Sequence, residues 1–271
     1  MKEAIKVYRE AFNILKEYPR VIIPFAVTGI CNVLALYIVY LIPQRPFVYL
    51  FGPPVKAFWG MKFLHYPFNL YLLPKLFYYA SICVGATVGA LMSAAAIGMI
   101  RDYYTRRNIP SFLPNFSISL KRYFALFGIW FVTFIISFYS VKAVGYFSAK
   151  GFMLKIVPYI MYSVSIIVQL IFIYAVPALI IEKRKIMSSI ARGVGFLRKA
   201  ILPTLIFVLL PAAFYLPVLA LKHKGAVLMG RLYPEIIIAI VGFGILVSFV
   251  IDVLVTIFTT LIFLDNAGDK R

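Results

Sequence analysis

Asp252 lies well inside an apolar run, in Phe249-Val250-Ile251-Asp252-Val253-Leu254. A lone carboxylate at the centre of a bilayer costs roughly 2.5–3.5 kcal/mol on insertion scales, so such a group turns toward a protein interior or toward water. Two readings fit it. One is a proton or cation site, or an anchor for a polar headgroup. The other is a protonated or hydrogen-bonded Asp held by a Tyr, Ser or Thr of a neighbouring helix. No basic residue of matching depth stands out, because Lys142 sits near the outer end of its own run and snorkels outward.

The remaining reactive residue types are scattered. Cys31 and Cys83 both fall in apolar runs without a C-x-x-C pairing, and read as packing thiols. His65 and His223 stand in connections far from each other, which is not the clustering a metal needs. Neither G-x-S-x-G, H-E-x-x-H, a P-loop nor G-x-G-x-x-G occurs. The expectation is a non-enzymatic chain with no catalytic, metal or cofactor residues.

The elements that must position Asp252 are apolar helices. Hydrophobic residues make up 63% of the 271, charged residues 14%, and the mean hydropathy is +0.95. Crossing ~30 Å of hydrocarbon takes about 20 residues of helix. Six runs reach that length, at about 21–42, 76–100, 123–147, 156–181, 201–221 and 236–264. Ten-residue alternation of the outer-membrane-barrel kind is missing. The expected fold is an all-α polytopic membrane bundle: one integral membrane domain over 1–271, with six transmembrane helices and added amphipathic interfacial helices. The apolar run after the basic N-terminal stretch is of full span length and reads as a retained signal-anchor.

The net charge of +19 is sorted by side. With six spans, both termini and the segments 101–122 and 182–200 share one face, which holds 18 of the 28 Lys and Arg. The positive-inside rule then puts both termini in the cytoplasm of a multi-pass protein. A nucleic-acid partner would need a soluble basic domain, and the chain has no room for one.

The same layout occurs three times: a basic amphipathic stretch leading into a long apolar run. The copies begin near Ala11, Ser117 and Ile190, and predict units over 4–100, 117–181 and 188–264. Leu15-Lys16-x-Tyr18 lies over Leu120-Lys121-x-Tyr123, and the third copy offers Leu197-Arg198-Lys199. Lys16, Arg20, Lys121, Arg122, Arg192, Arg198 and Lys199 are therefore candidate contacts for anionic lipid headgroups. Residues 4–18 set Tyr8, Ala11, Leu15 and Tyr18 against Arg9, Glu10, Lys16 and Glu17, which predicts an interfacial helix with its apolar face in the membrane, or one docked on a partner or on the bundle's own loops.

Two further segments depart from plain spans. Residues 43–75 form a Pro- and aromatic-rich outer connection that either lies in the interface or docks another subunit. Gly85, Gly89 and Ser93 repeat every four residues, beside Ala86, Ala90, Ala94 and Gly98. Small residues at that spacing let helices approach closely, which predicts a central helix or, less simply, a homo-oligomer contact.

Pro177-x-x-x-x-Glu182, followed by Ser188 and Ser189, Arg192 and a basic helix leading into another span, resembles the membrane domain attached to some glycerophosphodiester phosphodiesterases and related prokaryotic six-span families. The N-terminal AFNILKEYPRVIIPF is similar to theirs as well. The resemblance implies a prokaryotic inner-membrane protein. The phosphodiesterase barrel has no counterpart here, so its activity does not carry over. The first functional reading is a module that organises membrane lipids or serves as an accessory subunit of a membrane complex. The alternative is a transporter or lipid-translocating protein that uses Asp252.

Overall fold

A computed structural model describes residues 2–106, 111–147 and 153–266. Within them the fold is an all-α bundle, and every regular element is helical. Five segments are long and apolar enough to cross a membrane: Pro19–Leu41, Phe68–Thr105, Tyr123–Tyr146, Ile156–Ile181 and Ile236–Asn266. A sixth exists only if the bent pair Ile186–Lys199 and Ile201–Ala213, which meet at 96°, counts as one span. This is the architecture of a multi-pass integral membrane protein.

The chain opens with the amphipathic helix α1 (Lys2–Glu17), which a short turn at Pro19–Ile22 joins to α2 (Ile23–Leu41). The outer connection is itself folded, as α3 (Phe47–Trp59). Then α4 (Phe68–Val84) runs through a π turn at Gly85–Gly89 into α5 (Ala90–Arg106). Next come α6 (Phe112–Lys121), α7 (Tyr123–Phe147), α8 (Met153–Phe172), α9 (Ala175–Ile181) and α10 (Ile186–Lys199). The chain closes with α11 (Ile201–Ala213), α12 (Leu216–His223), α13 (Gly225–Arg231) and α14 (Ile236–Asn266).

The amphipathic helices pack in a recurring manner. Each of them lies against the end of the apolar segment that closes the unit before it: α6 on α5 and α10 on α9. The first helix completes the cycle by packing on α14, the last element of the chain. All these ends therefore share one face, the basic one. Polar bonds tie it together. Tyr103 donates to Glu17 at 3.0 Å, and Tyr104 donates to Asp265.

The apolar stripe of α1 faces protein. Val7, Ala11 and Ile14 are buried, and the Tyr8 ring meets Phe207 and Phe258, each with centroids 4.8 Å apart. The helix is docked on protein, but on the helices α11 and α14 rather than on loops. Among the side chains of α1 that are described, Phe12 is the large apolar one that stays mostly exposed. Its amphipathic pattern is satisfied by α11 and α14 because their basic ends present an aromatic surface, extended by Phe196, Tyr174 and Phe263.

Two sequence expectations change. Residues 43–75 are largely helical: Gly52 and Val55 of α3 are buried, and Val55, Trp59, Phe63 and Leu64 join a core with Leu36, Leu70, Phe77 and Ile237. This segment caps the outer end of α2, α4 and α14. The run 201–221 is not one helix. It breaks at Phe214–Tyr215 between Pro211, inside α11, and Pro217, in the first turn of α12. Proline cannot donate the intrahelical hydrogen bond and is best accommodated in a first turn, so the break falls where the two prolines frame it.

Candidate functional site

Asp252 lies near the middle of α14, and its side chain is exposed, but exposed into the bundle. It has no hydrogen-bond or ion-pair partner among the described residues. The hydroxyl from a neighbouring helix that one sequence reading required is not there. Instead the carboxylate opens on a cavity of about 550 Å³ enclosed by α2, the α4–α5 segment, α7, α8, α12 and α14.

Gly244, Ser248 and Asp252 follow one another every four residues, so they share a face of α14, and all three line the cavity. Across from them α2 contributes Thr28 and Asn32, α7 contributes Trp130 and Thr133, and α8 contributes Gln169. The Asn32 amide donates to the Thr28 carbonyl at 3.1 Å, while its buried Oδ1 has no donor. Polar side chains at this depth are costly unless they serve one another or a ligand.

The second charge of the cavity is Lys222. Its Nζ lies 5.3 Å from the centroid of the Tyr215 ring and donates to the Tyr215 hydroxyl at 2.8 Å. Tyr215 in turn stacks on Tyr162, whose hydroxyl donates to the Ala212 carbonyl at 3.0 Å. The break before α12 makes this possible: it places Tyr215 at the hinge and sets Lys222 against Gly244, where the missing side chain leaves room for the ammonium. From sequence Lys222 reads as one more loop cation at a span end. The pair of prolines around the break was the available signal.

Gly85, Gly89 and Ser93 also line this cavity. A β-carbon on Gly85 would stand 3.8 Å from Trp130 Nε1, and one on Gly89 would be 3.8 Å from Thr28 Cγ2. Their lack of side chains serves close packing and cavity space together. The π turn they form is a local expansion of the kind that recurs at functional sites. Further along α5, Ala94, Ala95 and Ala96 are fully buried on successive sides of the helix, which puts it at the bundle centre.

The cavity is closed toward the basic end by the aromatic core around Tyr174, Phe207 and Phe258. A second, open depression on that face is lined by Glu17, Arg101, Asp102, Lys121 and Arg122. Its charges are largely spent on the protein. Arg101 pairs with Asp102 at 2.7 Å, and Arg122 Nη1 donates to the Leu179 carbonyl at 2.7 Å.

The candidate lipid contacts divide accordingly. Lys16, Arg20, Lys121, Arg198 and Lys199 are exposed on the basic face. Arg122 is half-buried on Leu179, and Arg192 Nε donates to Glu182 Oε1 at 3.1 Å, while Arg184 takes the other carboxylate oxygen. The structure brings none of these seven cations to Asp252. Comparison of the chain with known protein families, with curated proteins and with solved structures finds no match in any of the three.

Proposed function

We propose that this chain is a non-enzymatic membrane protein that binds a polar or charged ligand at Asp252 and moves it within or across the bilayer. One observation carries the reading: a mid-span carboxylate faces a cavity that holds several other polar side chains, and it has no bonding partner among the described residues. A purely structural Asp would be expected to use a neighbouring hydroxyl, and Asp252 makes no such bond among the described residues. The cavity's groups suit recognition. They comprise one anion, one cation, two amides and several hydroxyls, and no hydroxyl is hydrogen-bonded to the carboxylate among the described residues.

The membrane-organising reading keeps the basic face, where five exposed cations suit anionic headgroups. Orientation follows from the same charges. With 18 of 28 Lys and Arg on the face that carries the termini, that face is cytoplasmic and the cavity lies nearer the outer leaflet. The plasma membrane of a prokaryote is the proposed location, on the strength of the layout resemblance.

The test compares the small molecules and lipids that co-purify with the full chain and with Asp252→Asn, matched for thermal stability in detergent. The wild type is expected to retain a species that the variant loses. An identical complement in both would remove Asp252 from ligand binding.

A further inference from the structure

Lys222 and Asp252 stand at two levels of one wall. Lys222 Nζ lies 3.4 Å from where a β-carbon on Gly244 would be, and Asp252 is two α-helical turns further along the same face. Eight residues at 1.5 Å rise separate the two levels by roughly 12 Å. Helical side chains lean toward the N-terminus, which brings the carboxylate to within on the order of 10 Å of the ammonium. That is too far for an ion pair. Both charges therefore point into the cavity with a gap between them, and Asn32 lies on its opposite wall with an acceptor oxygen unused.

A ligand that fills such a gap carries an anion toward Lys222 and a cation toward Asp252. Two charge-assisted contacts of ~2.8 Å plus a two-carbon bridge between ammonium and phosphate cover about that interval. A primary ammonium offers the Asp252 carboxylate N–H donors, which a quaternary ammonium lacks.

The approach route selects the source. Axially, the outer end is closed by the α3 cap and its apolar core. Laterally, α7 packs on α5 and on the π turn, but not appreciably on α4. Beyond the Trp130–Gly85 contact α4 and α7 pack little on each other, and Tyr78 of α4, which lines the cavity, is 54% exposed. This thinly packed α4–α7 seam is the lateral slot available to acyl chains, a route that a soluble zwitterion would have no reason to use.

We infer that the cavity holds the headgroup of an amine-bearing zwitterionic phospholipid, phosphate on Lys222 and ammonium on Asp252, with the acyl chains leaving through the α4–α7 slot. The inference rests on Asp252 being the ligand site.

Trp59 and Trp130 are the only tryptophans, so Trp59→Phe leaves Trp130, on the cavity wall, as a single reporter. The full chain is reconstituted into nanodiscs doped with brominated-chain phosphatidylethanolamine, phosphatidylcholine or phosphatidylglycerol, and Trp130 quenching is titrated. Phosphatidylethanolamine is expected to quench at about tenfold lower mole fraction than phosphatidylglycerol. Asp252→Asn is expected to erase that preference, and Lys222→Gln to weaken quenching by both phospholipids. Val250→Ala, on α14 but outside the cavity lining, controls for folding. Equal quenching by all three lipids in the wild type overturns the headgroup assignment. So does stabilisation by free phosphoethanolamine without any lipid preference, which would make the ligand soluble. If co-purification still shows an Asp252-dependent species that is not an amine phospholipid, the headgroup assignment falls while the ligand site stands. If it shows none, both fall.

Discussion

Gly193 of α10 sits against the backbone of Ala175, at the start of α9: a β-carbon on Gly193 would stand 2.7 Å from the Ala175 amide nitrogen and 2.9 Å from the Tyr174 carbonyl carbon. The basic face depends on this approach, because it lets α10 lie on α9 before the chain turns by 96° into α11. Backbone cannot swing aside as a side chain can. Gly193→Ala is expected to destabilise the fold by about 1–3 kcal/mol, the range for overpacking a close contact. Gly195, two residues on, has nothing within 4 Å of its β-position. Gly195→Ala should be neutral or stabilising by about 0.5–1 kcal/mol through helix propensity. Thermal unfolding of both variants in detergent checks the pair. Equal behaviour would mean that the α9–α10 contact is looser than described.

A second close approach is filled by a polar side chain. Asn115 of α6 covers Gly98 of α5, its amide donating to Asp102 at 2.8 Å and to the Ser111 carbonyl at 2.9 Å. Asn115→Ala leaves a void over Gly98 and takes a donor from Asp102, which still holds Arg101. Removing one partner of a buried hydrogen bond to a charged group costs about 1.5–3 kcal/mol. Asn115→Asp should be worse than Asn115→Ala, because it sets two carboxylates face to face. Ranking the three proteins by melting temperature tests this order.

Docking of α1 predicts an alkaline limit to stability. Burial raises the Tyr8 hydroxyl above its ordinary value of 10.0. A group whose folded value is raised contributes stability that is complete below the unfolded value and is lost as pH climbs through the folded one. Above about pH 10 the wild type should therefore lose stability faster than Tyr8→Phe, while the two match at pH 8. Melting curves at pH 8, 10 and 11 show this as a difference between the two proteins. Parallel curves would mean that α1 is not held through the Tyr8 ring.

Much of this arrangement can be read from residue pattern, and the exceptions have physical causes. The spans follow from run length, and the central position of the small-residue helix follows from its spacing. Asp252 was recognisable because an isolated carboxylate in an apolar run is expensive wherever it points. What it points at was not. The cavity is made by residues that are ordinary in sequence, such as Gln169, Asn32 and Lys222, and that meet only because α12 is displaced at the Pro211–Pro217 break. The apolar stripe of α1 shows that something must cover it without saying whether lipid or protein does. In α3, Pro53 and Pro54 read as helix breakers, yet they lie inside a helix whose first turn begins at Phe47. Its cap is stabilised by Val55, Trp59 and the aromatic residues after it, and tertiary burial of this kind outweighs local propensity.

The seven cations assigned to headgroups from sequence should separate into two groups. Exposed Lys16, Arg20, Lys121, Arg198 and Lys199 are free to meet phosphate, whereas Arg122 is engaged by the Leu179 carbonyl and Arg192 by Glu182. Neutralising the five exposed residues should lower the share of anionic lipid that stays bound through purification, with little change in melting temperature. Arg192→Gln should do the reverse. Its loss is small, about 0–1 kcal/mol, because the ion pair is partly exposed. Lipid mass spectrometry and melting on the same samples decide between the groups.

The sharpest prediction concerns the energetic role of Asp252. If the carboxylate were part of the scaffold, replacing it with an apolar side chain would remove a bond and weaken the protein. If it is kept for a ligand, the protein bears its cost without return in the empty state. Asp252→Leu then relieves a carboxylate that costs roughly 2.5–3.5 kcal/mol at mid-membrane, and also fills part of the cavity. The expected outcome is a variant at least as stable as the wild type, with a higher melting temperature, that has lost the Asp252-dependent ligand. Asp252→Asn keeps the shape without the charge and should fall between the two in stability while binding as poorly as Leu. A drop in melting temperature for both substitutions would place the carboxylate among the groups that hold the bundle together, because stability and binding can move in opposite directions only if Asp252 serves something other than the fold.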